Sequence, residues 1–287
     1  MSADLYREIE GSGPDLVLLH GWGLHAGVWD LLLPKLSAQF RVTRLDLPGH
    51  GRSRGLPMPD SLEALAQQVM ATLPPRAVLL GWSLGGLVAL RMALDAPQRI
   101  RGLVLANTTP RFVTAPDWRP ALPPEFLQEF ADGLAKDYPE TLRRFLSLQA
   151  QGDEAARACL RRLRESLFAH GEPDTASLAV GLELLRRCDL RSELHALRLP
   201  TLVLAGGYDQ LTPAAASQHM AKQIPYAQLR VFPKSAHAPF ISHADEFISV
   251  LVQFMRDIET GQAAMYRDVQ VPREAGMSRG ARRRERP

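Results

Sequence analysis

The sequence predicts an α/β fold: a mostly parallel central sheet with helices on both faces and an inserted all-helical cap. Three observations predict it. Short apolar runs alternate with longer stretches of helical spacing, the pattern of strands joined by crossover helices. One apolar run, Ala77-Val78-Leu79-Leu80, passes through Gly81-Trp82-Ser83-Leu84-Gly85-Gly86 into the Ala/Leu-rich Leu87 to Leu94. The alternation then stops between Arg111 and Asp189, where no strand signal is found.

Taken in order, Leu16-Val17-Leu18-Leu19 is a buried strand ending in His20-Gly21-Trp22-Gly23. Val28 to Phe40 has helical spacing. Arg41 to Leu45 is a second strand, ending in Asp46-Leu47-Pro48-Gly49-His50-Gly51-Arg52-Ser53. Ser61-Leu62-Glu63-Ala64 opens a helix, with Asp60 or Ser61 as its cap. Pro74-Pro75 ends it and the strand Ala77 to Leu80 follows. Gly102 to Ala106, Thr201 to Ala205 and Leu229 to Phe232 are three more strands, and Ala244 to Ile258 closes the chain as an amphipathic helix. Within the interruption, Pro123 to Leu134, Tyr138 to Gln149, Glu154 to Phe168 and Thr175 to Cys188 read as helices. A structureless loop of that length is implausible. A helical cap over the carboxyl ends of the strands is not, because open α/β sheets bind ligands there. The expected organisation is a core from 1–110 and 190–260, a cap from 111–189 and a basic, disordered tail from 261–287.

With 287 residues and 46% apolar content, the chain can bury one large core with an inserted cap. The charged start, Met1 to Glu10, has no apolar h-region of a signal peptide, and no stretch approaches a membrane span. Cys159 and Cys188 form neither a CxxC nor a disulfide framework. A reduced, cytoplasmic protein is expected. The pI near 9.1 suggests nucleic acid, but the charge is in the wrong place. Residues 261–287 carry seven Arg against Asp268, Glu274 and Glu285, a balance of +4; the whole chain is +3, so residues 1–260 balance at −1. A basic appendage, not a binding face of the fold, carries the excess.

Gly-x-Ser-x-Gly between a strand and a helix is a nucleophile elbow. The serine occupies a strained turn, and the residues two before and two after it crowd the backbone, so Gly81 and Gly85 have a steric reason. A serine nucleophile needs a base, and the base needs an orienting acid. In this arrangement they follow in the order Ser, acid, His. Asp209 lies just past the strand Leu202 to Ala205, and His237 just past Leu229 to Phe232, so both reach the edge where Ser83 emerges. The expected roles are Ser83 nucleophile, His237 general base then acid, and Asp209 support for His237. The rivals fit less well. Asp46 precedes Ser83; Asp189 and Asp245 follow no strand; His170, His195 and His219 sit in or beside helices; His243 starts the last helix; and His50 has a structural role open to it. Oxyanion donors are expected from the Leu84 and Trp22 backbone N–H groups, the latter flanked by glycines that allow close approach. His20 has bracing of that loop as its plainer role. No His/Asp/Glu cluster has ligand spacing, so neither metal nor cofactor is expected.

Five segments together resemble one family. They are His20 to Leu24, Asp46 to Ser53, Gly81 to Leu87, Arg144 to Gln149 and Ala236 to His243. They resemble the pimeloyl-[acyl-carrier protein] methyl ester esterases of biotin synthesis, within the α/β-hydrolase superfamily, over residues 5–258. The elbow and the His20 motif occur throughout α/β hydrolases; the Trp82 elbow with Phe145 to Gln149 and the His237 run is narrower. The resemblance implies hydrolysis of a methyl ester from a carrier-bound pimeloyl chain, freeing methanol. It implies substrate contacts at Trp22, Ser83, Leu84, Phe145, Leu146, Ser147, Leu148, Gln149 and His237. It also implies docking of an acidic acyl-carrier protein on Arg144, Arg157 and Arg161. The residues alone leave two plainer readings: Phe145, Leu148 and Gln149 as a packing face, and the arginines as a solvated face with pairs such as Arg161 to Glu165. A monomer without nucleic-acid or membrane partners is expected. Two other functions compete: a general short-chain carboxylesterase or lactonase, and a non-catalytic ligand- or carrier-protein-binding module. Dehalogenases and epoxide hydrolases carry aspartate at the elbow, which Ser83 disfavours.

Overall fold

The computed structural model describes residues 4–156, 168 and 170–262. The strands are β1 (Arg7–Glu10), β2 (Asp15–Leu19), β3 (Arg41–Leu45), β4 (Ala77–Trp82), β5 (Ile100–Ala106), β6 (Thr201–Gly206) and β7 (Ala227–Phe232). The helices are α1 (Leu33–Ser37), α2 (Leu62–Ala71), α3 (Leu84–Asp95), α4 (Pro124–Leu148), α5 (Thr175–Arg187), α6 (Ala214–Gln223), α7 (Pro239–Ser242) and α8 (Ala244–Glu259).

Among the described residues the strands form one seven-stranded sheet in the order β1-β3-β2-β4-β5-β6-β7. All its pairings are parallel except β1 with β3. Parallel strands covered on both faces must be apolar throughout, and Leu16 to Leu19, Val78 to Leu80 and Leu103 to Ala106 are all buried. β1 was not expected from sequence. Arg7-Glu8-Ile9-Glu10 offers one apolar residue, and Ile9 is 44% exposed. It pairs as an edge strand through its backbone, a contact that hydrophobic pattern does not encode. α6 and the short α7 were also not anticipated.

The expected helix from Val28 to Phe40 is shorter than predicted. Val28, Trp29, Leu32, Leu33, Leu36 and Phe40 are all buried, so the apolar spacing did report a packed face. Pro34, however, has no N–H to donate and crowds the preceding turn. The stretch breaks into a 3-10 turn at Ala26–Trp29 and the single turn of α1. α2 starts as expected, with Ser61 Oγ accepting the Ala64 N–H at 3.2 Å.

Between β5 and β6 the chain leaves the sheet. α4 is two helices meeting at Asp137, whose φ of −156° and ψ of 86° interrupt the spiral just before Pro139. This matches the division expected between Leu134 and Tyr138. α5 matches the expected Thr175 to Cys188 within one residue. Most of the expected helix Glu154 to Phe168 lies outside the described residues, as do Cys159, Arg157, Arg161 and residues 263–287. The insertion leaves and rejoins the core at adjacent points. Leu190 N–H donates to Pro110 O at 2.9 Å, and Arg111 Nη1 pairs with Asp189 Oδ2 at 2.9 Å. Burial alone pushes the Asp189 carboxyl up, but Arg191 and Arg111 reverse this and hold it at about 2. Among the described residues no helix is long and apolar enough to cross a membrane.

Candidate active site

Ser83 sits between β4 and α3 with φ of 55° and ψ of −118°, a conformation that L-residues rarely hold. Two glycines permit it. A Cβ on Gly81 would lie 2.3 Å from Gly85 O, and one on Gly85 would lie 2.4 Å from Leu19 O. The Ser83 backbone is fixed on both sides: its N–H donates to Ala106 O at 3.1 Å, and its carbonyl accepts from Thr108 Oγ1 at 2.8 Å. Leu84 is the first residue of α3, so its N–H has no intrahelical acceptor and points where the helix dipole is positive.

Asp209 and His237 meet beside the elbow. His237 Nδ1 lies 2.8 Å from Asp209 Oδ2, and both side chains are buried. Asp209 accepts four further hydrogen bonds. Oδ2 takes Thr212 Oγ1–H at 2.6 Å and Asn107 Nδ2–H at 2.7 Å; Oδ1 takes the N–H groups of Leu211 at 2.9 Å and Thr212 at 3.0 Å. Burial pushes the Asp209 carboxyl up, but the charge and hydrogen bond of His237, with those of Thr212, outweigh it and hold the carboxyl below its ordinary value. An ionised carboxylate only accepts, so in the neutral imidazole the ring proton is on Nδ1 and the lone pair on Nε2, which is buried with no hydrogen-bond partner among the described residues. An imidazole in that tautomer can take a proton from a hydroxyl.

The loop Gly21-Trp22-Gly23 faces the elbow closely enough that a Cβ on Gly21 would be 3.2 Å from Ser83 Cβ. Its turn bond runs from Leu24 N–H to Gly21 O at 3.4 Å and does not engage the Trp22 N–H. Two histidines brace it. His20 Nε2 accepts the Leu47 N–H at 2.9 Å, and its Nδ1 lies 2.8 Å from Gly21 O. His50 Nε2 accepts the Gly23 N–H at 3.1 Å, and its Nδ1 lies 2.8 Å from Pro48 O. Each ring accepts at one nitrogen and donates at the other, so both are neutral. Burial, followed for His20 by the neighbouring His50, lowers both from the ordinary histidine value. Asp46 is fully buried and holds the same region through the N–H groups of Ala26 at 2.6 Å and Arg52 at 2.7 Å.

The insertion contacts the elbow side directly. Trp22 Nε1 donates to Leu178 O of α5 at 2.8 Å, and the Trp22 ring meets Phe145 of α4 edge-on at 4.8 Å. Phe145, Leu146 and Gln149 are buried and Leu148 is half-buried. Ser147 is placed differently from its neighbours. It is exposed, and its hydroxyl donates to Arg143 O at 2.7 Å. Two residues along a helix turn a side chain by roughly 200°, which carries Ser147 away from the Phe145 face. Arg144 is exposed, 3.4 Å from Glu129 and over the Phe130 ring at 5.4 Å. Arg157 and Arg161 lie outside the described residues.

Three contributors escaped the sequence reading. Asn107 and Thr212 complete the shell around Asp209, and Trp82 Nε1 donates to His237 O at 2.8 Å. Asn107 stands directly after β5, the same strand-end position that singled out Asp209 and His237, and has a positive φ of 43°. A search for acids and bases alone passes over a neutral amide. Among the described residues no group of His, Cys, Asp and Glu could hold a metal ion.

Residues 14–244 match the family model of the alpha/beta hydrolase fold. A pimeloyl-[acyl-carrier protein] methyl ester esterase from Nitrosomonas europaea is 44% identical over 247 residues, covering 86% of this chain and 98% of that relative. One from Yersinia enterocolitica is 43% identical over 257 residues, covering 89% and 99%. Among solved structures, a hydrolase from Pseudomonas aeruginosa superposes with a TM-score of 0.76 at 32% identity, covering 88% of this chain and 94% of that one. The enol-lactonase from Burkholderia xenovorans superposes with a TM-score of 0.77 at 27% identity, covering 88% and 96%.

Proposed function

We propose that this chain, which belongs to the α/β-hydrolase family and within it to the pimeloyl-[acyl-carrier protein] methyl ester esterases, hydrolyses the methyl ester of a carrier-bound pimeloyl chain. His237 Nε2 takes the Ser83 hydroxyl proton as Oγ attacks the ester carbonyl. The tetrahedral oxyanion is received by the N–H groups of Trp22 and Leu84. His237 then gives its proton to the methoxide oxygen and methanol leaves. Water, activated by the same nitrogen, cleaves the acyl-enzyme and frees the carboxylate. Asp209 keeps the imidazole in the required tautomer and stabilises the imidazolium. The observation that carries this reading is the 2.8 Å contact of Asp209 with His237 Nδ1, on a loop that Trp82 of the elbow holds through His237 O at 2.8 Å.

Residues 111–189 act as a cap on a core of 1–110 and 190–260, with 261–287 as an appendage. Phe145, Leu146, Leu148 and Gln149 line the path of the acyl chain, and Trp22 connects that path to the elbow. The acidic carrier docks on Arg144, Arg157 and Arg161, where opposite charge steers it. Two experiments test the proposal. Labelling by a fluorophosphonate separates an enzyme from a binding module; absence of labelling rejects catalysis. Expression in a biotin-requiring strain lacking its esterase should restore growth, and failure despite soluble protein would favour a general short-chain esterase or lactonase.

A further inference from the structure

The loop that carries His237 is held from two sides. On the sheet side, Trp82 Nε1 donates to His237 O at 2.8 Å and Asn107 Nδ2 to Ala236 O at 3.2 Å. On the other side, the turn after α4 supplies two acceptors. Gln149 O takes the His237 N–H at 3.0 Å, and Asp153 Oδ2 takes the Ala236 N–H at 3.2 Å. Asp153 Oδ1 meanwhile accepts the Ala156 N–H at 2.9 Å, capping the turn that opens at Glu154.

Asp153 is only 2% exposed, and among the described residues it forms no ion pair. Desolvating a carboxylate is costly, and neither packing nor capping requires one here. Serine, threonine or asparagine caps a helix as well. What a carboxylate adds is a second acceptor oxygen aimed the other way. One oxygen faces the insertion and the other faces the backbone next to His237.

We infer that Asp153 is a positioning residue that ties the His237 loop to the helical insertion, so that seating the insertion and placing the imidazole are one event. It acts through the Ala236 backbone and does not touch the reacting atoms. This rests on the reading of His237 as the base.

The test uses the full chain and a small p-nitrophenyl ester, which needs no carrier docking. Asp153→Ser keeps an oxygen for the Ala156 N–H but is one bond too short to span to Ala236 as well. It should melt above Asp153→Ala, because it keeps the cap, and lose about tenfold or more in kcat, with KM little changed, because small misplacements of a catalytic group are costly. Asp153→Ala should show the same fall in kcat and also melt about 2–4 °C lower, from the lost cap. Wild-type kcat in Asp153→Ser overturns the proposal. So does a kcat that tracks melting temperature across the two variants, since that is what a merely structural residue gives. His237→Ala is measured alongside. Activity retained there refutes the assignment of the base; an inactive His237→Ala beside a fully active Asp153→Ser refutes the coupling alone.

Discussion

Ser83 is held at a φ of 55° by a backbone that leaves it no alternative, and its side chain contributes little to the core. Ser83→Ala should therefore abolish ester cleavage with no change in melting temperature; activity within about tenfold of wild type would remove Ser83 from the nucleophile role. His237→Ala should be equally inactive. Asp209→Asn should lower turnover severely, because an amide cannot enforce the tautomer that a carboxylate does; normal turnover would move the acid role elsewhere. Asn107 offers a sharper test. Asn107→Asp sets a second carboxylate 2.7 Å from Asp209 Oδ2, where like charges raise the affinity of the pair for a proton. His237 and Thr212 hold the wild-type Asp209 carboxyl below its ordinary value against the opposing effect of burial. The acid limb of kcat/KM should thus move to higher pH in Asn107→Asp, and an unmoved profile would show that the two groups do not interact.

At the scale of elements, α5 owes its position to Gly181. A Cβ there would lie 2.7 Å from Trp22 Cδ1, so the helix and the Gly21-Trp22-Gly23 loop pack closely. Helix propensity favours Gly181→Ala by about 1 kcal/mol. The contact opposes it, since either the indole or the helix must shift. kcat/KM should fall more than melting temperature does, and a stabilised variant of full activity would show that the contact yields freely. The two bracing histidines give a pH-dependent prediction. Both are neutral in the fold with lowered proton affinity, so the unfolded chain binds more protons below about pH 6.5, the ordinary histidine value. The stability they contribute is whole above that value and is lost as pH falls below it. Melting temperature followed from pH 7.5 to 5 should fall more steeply in wild type than in His50→Gln.

Such elements also show what was legible in the sequence. β2, β4, β5 and β6 were readable because strands buried on both faces are nearly continuous apolar runs, β3 and β7 from shorter apolar stretches that Thr43, Arg44 and Arg230 interrupt, and the elbow because its sterics demand glycine at fixed offsets. β1 was not, since an edge strand is specified by backbone pairing, which no side-chain pattern records. Asp209 and His237 were legible as strand-end residues in the right order. Asn107, Thr212 and Asp153 were not, because their roles depend on which backbone N–H or carboxylate oxygen tertiary packing delivers to them.

At the scale of the molecule, charge is unevenly placed, with the excess in residues 261–287. If arginines of the insertion dock an acidic carrier, reversing Arg157 and Arg161 to Glu should weaken cleavage of the carrier-bound methyl ester while sparing a small p-nitrophenyl ester. Added salt should narrow the difference, because exposed charges are screened over about 8 Å at physiological ionic strength. Equal loss on both substrates would mean that the reversal damaged the insertion itself.

The adjacent stalks at Pro110 and Leu190 have a further consequence. β5 and β6 are direct neighbours, in register from Leu103 with Thr201 onward, and everything between them departs and returns through one hydrogen-bonded gate. The backbone pairing of β5 with β6 does not use the residues between Pro110 and Leu190, so exchanging them need not alter the sheet's order or register. The scaffold therefore behaves as a socket into which different substrate-selecting modules can be grafted, and new selectivity can arise by transplant without passing through an unfolded intermediate design. The socket has one electrical pin besides its mechanical ones: a graft must again present acceptors to the N–H groups of Ala236 and His237, or it will fit the sheet and leave the imidazole adrift.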